Sequence, residues 1–177
     1  MELFKGRPLN CEDRIKYEVS CYDFLDSLSI DYWRIDHPVT NTMQECEQID
    51  AILDATICKN LFLCTRQKNA FYLLMLRADK QFKTKDVSAM INSSRLSFAD
   101  EESMKSYLGV TPGSVSVLSL LNDTERKVTL LIDEDVLRGE FFGCHPSINT
   151  SSLKIKTADL TEKILPALKR TPIILNI

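Results

Sequence analysis

Apolar and polar positions along the chain follow two periods, and each marks a set of elements. In "CEDRIKYEVSCYDFLDSL", Ile15, Val19, Tyr22, Leu25 and Leu28 recur at helical spacing, which gives a helix one apolar face. Asn10 precedes it in an N-cap position. "DYWRI" predicts a short strand. Thr42 and Glu45 make a capping-box pair that opens a helix over "MQECEQIDAIL". "CKNLFLCT" and "AFYLLMLRA" predict strands joined by the polar turn "RQKN", a hairpin. Thr84 would cap a helix over "KDVSAMINS", and Asp100 one over "EESMKSYL" that Gly109 stops. "SVSVLSLL" and "KVTLLID" predict a second hairpin across "NDTER". "EFFGCH" and "SLKI" predict strands around "PSIN", and "ADLTEKILPALK" a closing helix. Strands paired as hairpins with helices between the pairs imply an α+β fold. The sheet would be mixed and largely antiparallel, with helices packed outside, rather than doubly wound and parallel.

At 177 residues the chain is expected to form one domain, residues 1–177, with a sizeable core. Five glycines and six prolines, well scattered, leave no flexible linker, and no internal repeat is present. The opening "MELFKGRPLN" lacks the apolar core of a signal peptide, and the longest wholly apolar run is "AFYLLML". A soluble, cytoplasmic protein is the expectation.

The six cysteines show no C-x-x-C spacing, which favours reduced thiols over a disulfide framework or a zinc site. His37 and His145, the two histidines, belong to no local metal-ligand motif, so a metal would need ligands drawn together from distant segments. There is no G-x-G-x-x-G, P-loop, G-x-S-x-G or H-E-x-x-H motif.

A net charge of −3 argues against strong nonspecific binding to nucleic acid, but the charge is unevenly spread. Residues 1–58 carry net −7, residues 59–95 net +6 and residues 96–177 net −2. The basic middle segment is either an ordinary solvated hairpin and loop or a surface that meets a polyanion through a few phosphates. The stretch "ATICKNLFLC" poses a similar choice at one residue. Lys59, Leu61 and Leu63 share one strand face and Asn60, Phe62 and Cys64 the other. Lys59 is then either a solvated strand end or a cation held at the rim of a pocket.

Six stretches carry a resemblance that bears on both choices. "HPVTNT" with the following "QE", "CKNLFL", "RLSFADEE", "LGVTPGSV", "LLND" and "GCHPSINT" occur in the order found in the prolyl-tRNA synthetase-associated (YbaK/ProX) editing domains. From His37 to Thr150 the chain resembles that family, whose members are free-standing or fused deacylases of mischarged aminoacyl-tRNA. The resemblance implies the same α+β class, with the sheet open or closed into a partial barrel and helices around it. It implies no metal and no organic cofactor.

Lys59 matches the family's signature lysine and Asn60 the asparagine beside it. The implied catalytic group is therefore Lys59, whose ammonium meets the aminoacyl-adenosine end of tRNA. An aminoacyl ester is already activated, so its hydrolysis needs positioning of water and ester more than a strong nucleophile. A fixed cation with main-chain N–H groups stabilises the developing oxyanion. The implied substrate-binding set is Thr42, Asn60, Gly113, Gly143, His145 and Asn149. Gly143 would let substrate approach the backbone. His145 would orient the amino group or a water, unless it is a structural turn histidine. Thr42 would face the site as well as cap its helix. Gly113 would bend a turn under the pocket, and Asn149 would stabilise the "PSIN" turn and only secondarily meet substrate. A Cys144–His145 dyad is disfavoured because adjacent strand residues point to opposite faces.

Many relatives carry a Pro-Phe pair where this chain has Val117-Leu118, which changes one pocket wall. The "HPSINT" pattern looks more like the branch acting on Ala-tRNA(Pro) than the branch clearing Cys-tRNA(Pro). The implied partner is the acceptor end of tRNA(Pro), met alone or together with prolyl-tRNA synthetase, with no membrane. A noncatalytic module of the same fold that binds tRNA or a synthetase is the alternative of a different class.

Overall fold

The computed structural model describes residues 1–39 and 43–177, with side chains at 1–39 and 48–177. Its strands are β1 (Leu3–Lys5), β2 (Tyr32–Asp36), β3 (Thr56–Thr65), β4 (Phe71–Arg77), β5 (Leu96–Phe98), β6 (Val128–Asp133), β7 (Phe141–Cys144), β8 (Ser151–Lys156) and β9 (Ile173–Leu175). They form one sheet in the order β1-β2-β8-β7-β3-β4-β6-β9, with β5 also on β3. Five pairings are antiparallel and three are parallel, namely β3 with β7, β4 with β6, and β6 with β9. The expected mixed, mostly antiparallel sheet is what forms.

The helices are α1 (Lys16–Ser27), α2 (Met43–Leu53), α3 (Thr84–Met90), α4 (Glu101–Ser103), α5 (Thr157–Asp159) and α6 (Leu165–Ala167). Helix α4 widens into a π turn over Met104–Leu108, and a second π turn, Leu160–Ile164, joins α5 to α6. Among the described residues no helix is long and apolar enough to cross a membrane. The largest core cluster includes Tyr22 and Leu25 of α1, Phe62 and Met75 of the central hairpin, and Ile155 and Ile164 from the C-terminal third. Leu63, Leu74, Leu76 and Leu131 pack on the other sheet face with Val87 and Leu96. Phe62 and Leu63 thus bury opposite faces of β3, as a strand period of two requires.

Several local expectations are corrected. Helix α1 starts at Lys16, not behind Asn10, because the Asn10 side chain accepts the Glu12 main-chain N–H at 2.8 Å and makes a turn instead. Thr84 does not cap α3, whose N-cap residue is Lys83 without a side-chain hydrogen bond. Asp100 does cap α4, accepting the Ser103 N–H, and Gly109 ends that helical run at φ +65°. The expected strand over "SVSVLSLL" is a 3₁₀ helix, Val117–Leu121, held by a reciprocal Ser116–Ser119 capping box. The second hairpin therefore does not exist, and β6 pairs in parallel with β4 and β9 instead. The Thr42–Glu45 capping box lies outside the described residues and side chains.

The site arises from how β3 is shared. On one edge β3 pairs throughout with β4. On the other it meets β7 only at Thr56 and Ile57, and β5 only from Leu63 to Thr65. Residues 58–61 thus have no partner strand on that edge among the described residues, and the sheet opens there.

Candidate functional site

A cleft of about 340 Å³ lies at this opening, lined by Lys59 and Asn60 of β3, Gly143 to His145 at the end of β7, and His37 and Ser152. Ile49 and Leu53 of α2, with Ile57, Cys58 and Ala78, supply apolar wall. Of the six substrate-binding residues expected from the sequence, Asn60, Gly143 and His145 line the cleft. Gly113 and Asn149 do not. They lie beside one another, a Cβ on Gly113 falling 3.4 Å from Asn149 Nδ2, and Gly113 needs its positive φ of +85° for the turn. Thr42 lies outside the described residues.

Lys59 is exposed at the rim, and its Nζ donates to the Lys80 carbonyl oxygen at 3.1 Å. An ammonium has three N–H donors, so this bond anchors the cation and leaves two donors for a ligand. The loop carrying that carbonyl is itself held, because the Lys80 ammonium binds the fully buried Asp133 at 2.8 Å and Asp135 at 2.7 Å.

Asn60 offers a side-chain acceptor and main-chain groups. Its Nδ2 donates to the Cys58 carbonyl at 3.4 Å, while its buried Oδ1 has no hydrogen-bond partner. An unpaired buried acceptor is costly. The main-chain direction follows from the ladder. Ile57 O accepts from Ala78 N, and Thr65 N donates to Ala70 O, so odd-numbered residues of β3 face β4. Even-numbered residues face the other edge, as the Ala99 N to Phe62 O bond shows. The Asn60 N–H therefore points to the open edge, one residue from Lys59.

The two histidines line the cleft side by side, with ring centroids 6.2 Å apart and the Ser152 hydroxyl in contact with both. Burial pushes the His145 ring below the usual imidazole range, against the raising effect of its bond to the Ser151 carbonyl, and nearby His37 lowers it further. Its Nδ1 lies 2.8 Å from that carbonyl oxygen. A carbonyl only accepts, so Nδ1 carries the proton and Nε2 is an acceptor. Cys58 and Cys144 also line the wall, but burial raises the Cys58 thiol to about 12 and the Cys144 thiol well above its ordinary value. Neither is a thiolate nucleophile at neutral pH. Among the described residues no cluster of three or more histidine, cysteine or acidic side chains is placed to hold a metal ion.

Gly143 is small for a different reason from the one its sequence context suggests. A Cβ there would meet Ile57 Cδ1 at 2.6 Å, since β3 and β7 set Ile57 opposite Gly143. The missing side chain makes room for isoleucine. Sequence reasoning missed Ser152 and the role of His37 as a wall, along with Ile49 and Leu53. No local motif links these positions, and only the packing of α2 and the adjacency of β2, β8 and β7 brings them together.

Comparison with known proteins gives four findings. Residues 37–163 match the family model described as an aminoacyl-tRNA editing domain. The chain is 34% identical over 143 residues to the prolyl-tRNA editing protein ProX of Acetoanaerobium sticklandii, covering 81% of this chain and 87% of that protein. It is 32% identical over 156 residues to prolyl-tRNA synthetase associated domain-containing protein 1 of Danio rerio, covering 87% and 84%. The crystal structure of a candidate trans-editing enzyme for prolyl-tRNA synthetase superposes with a TM-score of 0.68 at 13% identity, over 92% of this chain and 96% of that one, a likeness of fold.

Proposed function

The chain belongs to the aminoacyl-tRNA editing domain family, and on that premise we propose that it is a single-domain trans-editing deacylase, residues 1–177, that hydrolyses mischarged Ala-tRNA(Pro). The observation that carries the reading is a cation anchored at the rim of one apolar-walled cleft, beside a strand whose Asn60 N–H points to its open edge.

The chemistry is a hydrolysis in which nothing is oxidised or reduced. Water attacks the ester carbonyl carbon, and the carbonyl oxygen takes up negative charge. That oxygen sits between the Lys59 ammonium and the Asn60 main-chain N–H, where fixed donors cost no reorganisation at the moment of reaction. Collapse of the tetrahedral species breaks the bond to the ribose oxygen and releases the amino acid and a tRNA with a free hydroxyl. The α-ammonium of the aminoacyl group meets the acceptor His145 Nε2, which takes one of its N–H donors. Lys59 does not act as a nucleophile in this scheme, because an amide to the amino acid would trap the protein.

Ile49, Leu53, Ile57 and Ala78 suit a small apolar side chain, and packed walls yield little to a bulkier ring. The partner is the acceptor end of tRNA(Pro), reached with or without a prolyl-tRNA synthetase, and the reaction calls for no metal or organic cofactor.

The experiment that tests this reading is Lys59→Ala. Lys59 is exposed and buries no core surface, so the variant should fold as the parent does. Losing one preorganised donor to the oxyanion lowers kcat on the order of 10²–10³-fold. A well-folded variant that keeps half of the parent activity contradicts the assignment.

A further inference from the structure

Of the stretches that carry the family resemblance, "RLSFADEE" gives no residue to the cleft. It places Phe98 at the end of β5, opposite Leu63 in the antiparallel pairing with β3. Directly paired residues share a sheet face, and Lys59, Leu61 and Leu63 share one face of β3. Phe98 therefore stands on the same face as Lys59, where the open edge of β3 ends, about 13 Å farther along the strand. Half-buried Leu61 lies between them, so the three residues form a strip that leads into the cleft.

The Phe98 side chain is 60% exposed. A single exposed apolar residue is ordinary, but this one is braced. Phe82, half-buried against the core on that face, meets it edge to face with ring centroids 5.9 Å apart. Such a pair holds a ring in place and leaves a face of Phe98 uncovered. Lys83 and Lys85 follow Phe82, and Arg95 precedes β5, all three exposed. On the other side Asp100 pairs with Lys68, while Glu101 and Glu102 open α4. The cationic approach to the ring is therefore from the Phe82 side. Two features favour a nucleic-acid strand over a protein partner. The strip runs into the cleft, and its cations belong to the net +6 segment of a chain whose overall charge is −3.

We propose that Phe98, braced by Phe82, is a stacking platform for the unpaired bases that precede the terminal adenosine of the acceptor end. Every base has a π face, so an aromatic ring flanked by cations takes a single strand whatever its sequence, with the phosphates on the cations. With the ester at Lys59, the strip has room for the few unpaired nucleotides of a tRNA 3′ end, since a stacked strand advances about 3.4 Å per nucleotide. The identity of this strand rests on the deacylase reading above, whereas the stacking of unpaired bases on Phe98 does not.

Binding of uncharged tRNA(Pro) to the full chain, read by fluorescence anisotropy, tests the platform without catalysis. Phe98→Ala should weaken binding by about 5–100-fold, the range for loss of one stacking aromatic. Phe98→Trp should bind as the wild type does. Phe98→Leu keeps apolar cover over Phe82 but has no π face, and it should bind as weakly as Phe98→Ala; it serves in its place if the alanine variant does not fold. A tRNA with abasic nucleotides just before the terminal adenosine should lose a like factor on the wild type and nothing further on Phe98→Ala, a coupling that independent contacts do not show. In hydrolysis, Phe98→Ala should raise KM for Ala-tRNA by the same factor with kcat little changed. It should leave 3′-O-alanyl-adenosine, which has no preceding base, unaffected. Equal binding of abasic and intact tRNA by the wild type overturns the proposal. So does a folded Phe98→Ala or Phe98→Leu protein with wild-type binding. Loss of self-association in either variant, with RNA binding unchanged, overturns it too and makes the strip an interface between two copies. The binding results as expected, with no hydrolysis of any aminoacyl-tRNA, overturn the deacylase reading and leave the platform standing.

Discussion

At Gly143 the nearest obstacle to a side chain is Ile57 Cδ1, 2.6 Å from where a Cβ would lie. That atom is the far end of a side chain lining the cleft, so Gly143→Ala should push Ile57 into the space the aminoacyl group uses. Hydrolysis of Ala-tRNA is expected to fall by about 10-fold, since small misplacements of a bound ester are costly, and Pro-tRNA should gain nothing. Ile57→Val in the Gly143→Ala background removes Cδ1 and should restore most of the rate; a double variant as slow as the single one would contradict this account of the glycine. The residue scale was also where a resemblance of motifs carried furthest. Lys59, Asn60, Gly143 and His145 were all named from short stretches and meet at one cleft. Ser152 sits in "SLKI", which reads only as strand, and its place between two histidines depends on β2 and β7 flanking β8. Gly113 and Asn149 sit together in adjoining loops, off the cleft wall.

Among the elements, long periodic segments were legible and short or context-dependent ones were not. β3, β4, β6 and α2 follow their apolar patterns closely. "SVSVLSLL" alternates well enough for a strand, but the Ser116 and Ser119 hydroxyls accept the main-chain N–H groups of Leu118 and Ser116 locally and tip it into a buried 3₁₀ helix. β1, β5 and β9 are three residues each, too short for a period to register. What joins the C-terminal helical run to the sheet is likewise invisible in pattern. Asp123 Oδ1 accepts from Lys127 N at 3.0 Å, while Oδ2 accepts from Val128 N at 2.8 Å and from Arg170 at 2.9 Å. Arg170 also donates to the Val128 and Asp123 carbonyls. Both side chains are almost wholly buried, so removing one leaves the other charged and unpaired. Asp123→Ala should therefore cost about 3–5 kcal/mol in urea unfolding. A loss below about 1 kcal/mol, the range of an exposed ion pair, would contradict that role.

Over the whole molecule, the basic segment 59–95 is less available than its net +6 suggests. Lys68 pairs with Asp100, Arg77 with Asp79, and Lys80 with Asp133 and Asp135. Lys59, Arg66, Lys83, Lys85 and Arg95 remain as candidates to meet phosphates on an acidic protein. Binding of tRNA should accordingly weaken with salt at a logarithmic slope of about −2 to −4, shallow for a nucleic-acid-binding protein. Reversing Lys83 and Lys85 to glutamate should raise KM more than it lowers kcat; unchanged binding would return this segment to an ordinary solvated surface. The central claim is a choice among amino acids on one tRNA. An apolar cleft can exclude a ring by overlap, but one methyl is worth only about 1–3 kcal/mol, or roughly 10–200-fold. The most direct measurement is release of free amino acid from tRNA(Pro) charged in turn with alanine, glycine, serine, cysteine and proline, under single-turnover conditions with the purified protein. The account predicts fast release of alanine, slower but measurable release of glycine or serine, and almost none of proline. Hydrolysis of Pro-tRNA as fast as Ala-tRNA would contradict editing, and release of cysteine ahead of alanine would contradict the assigned substrate.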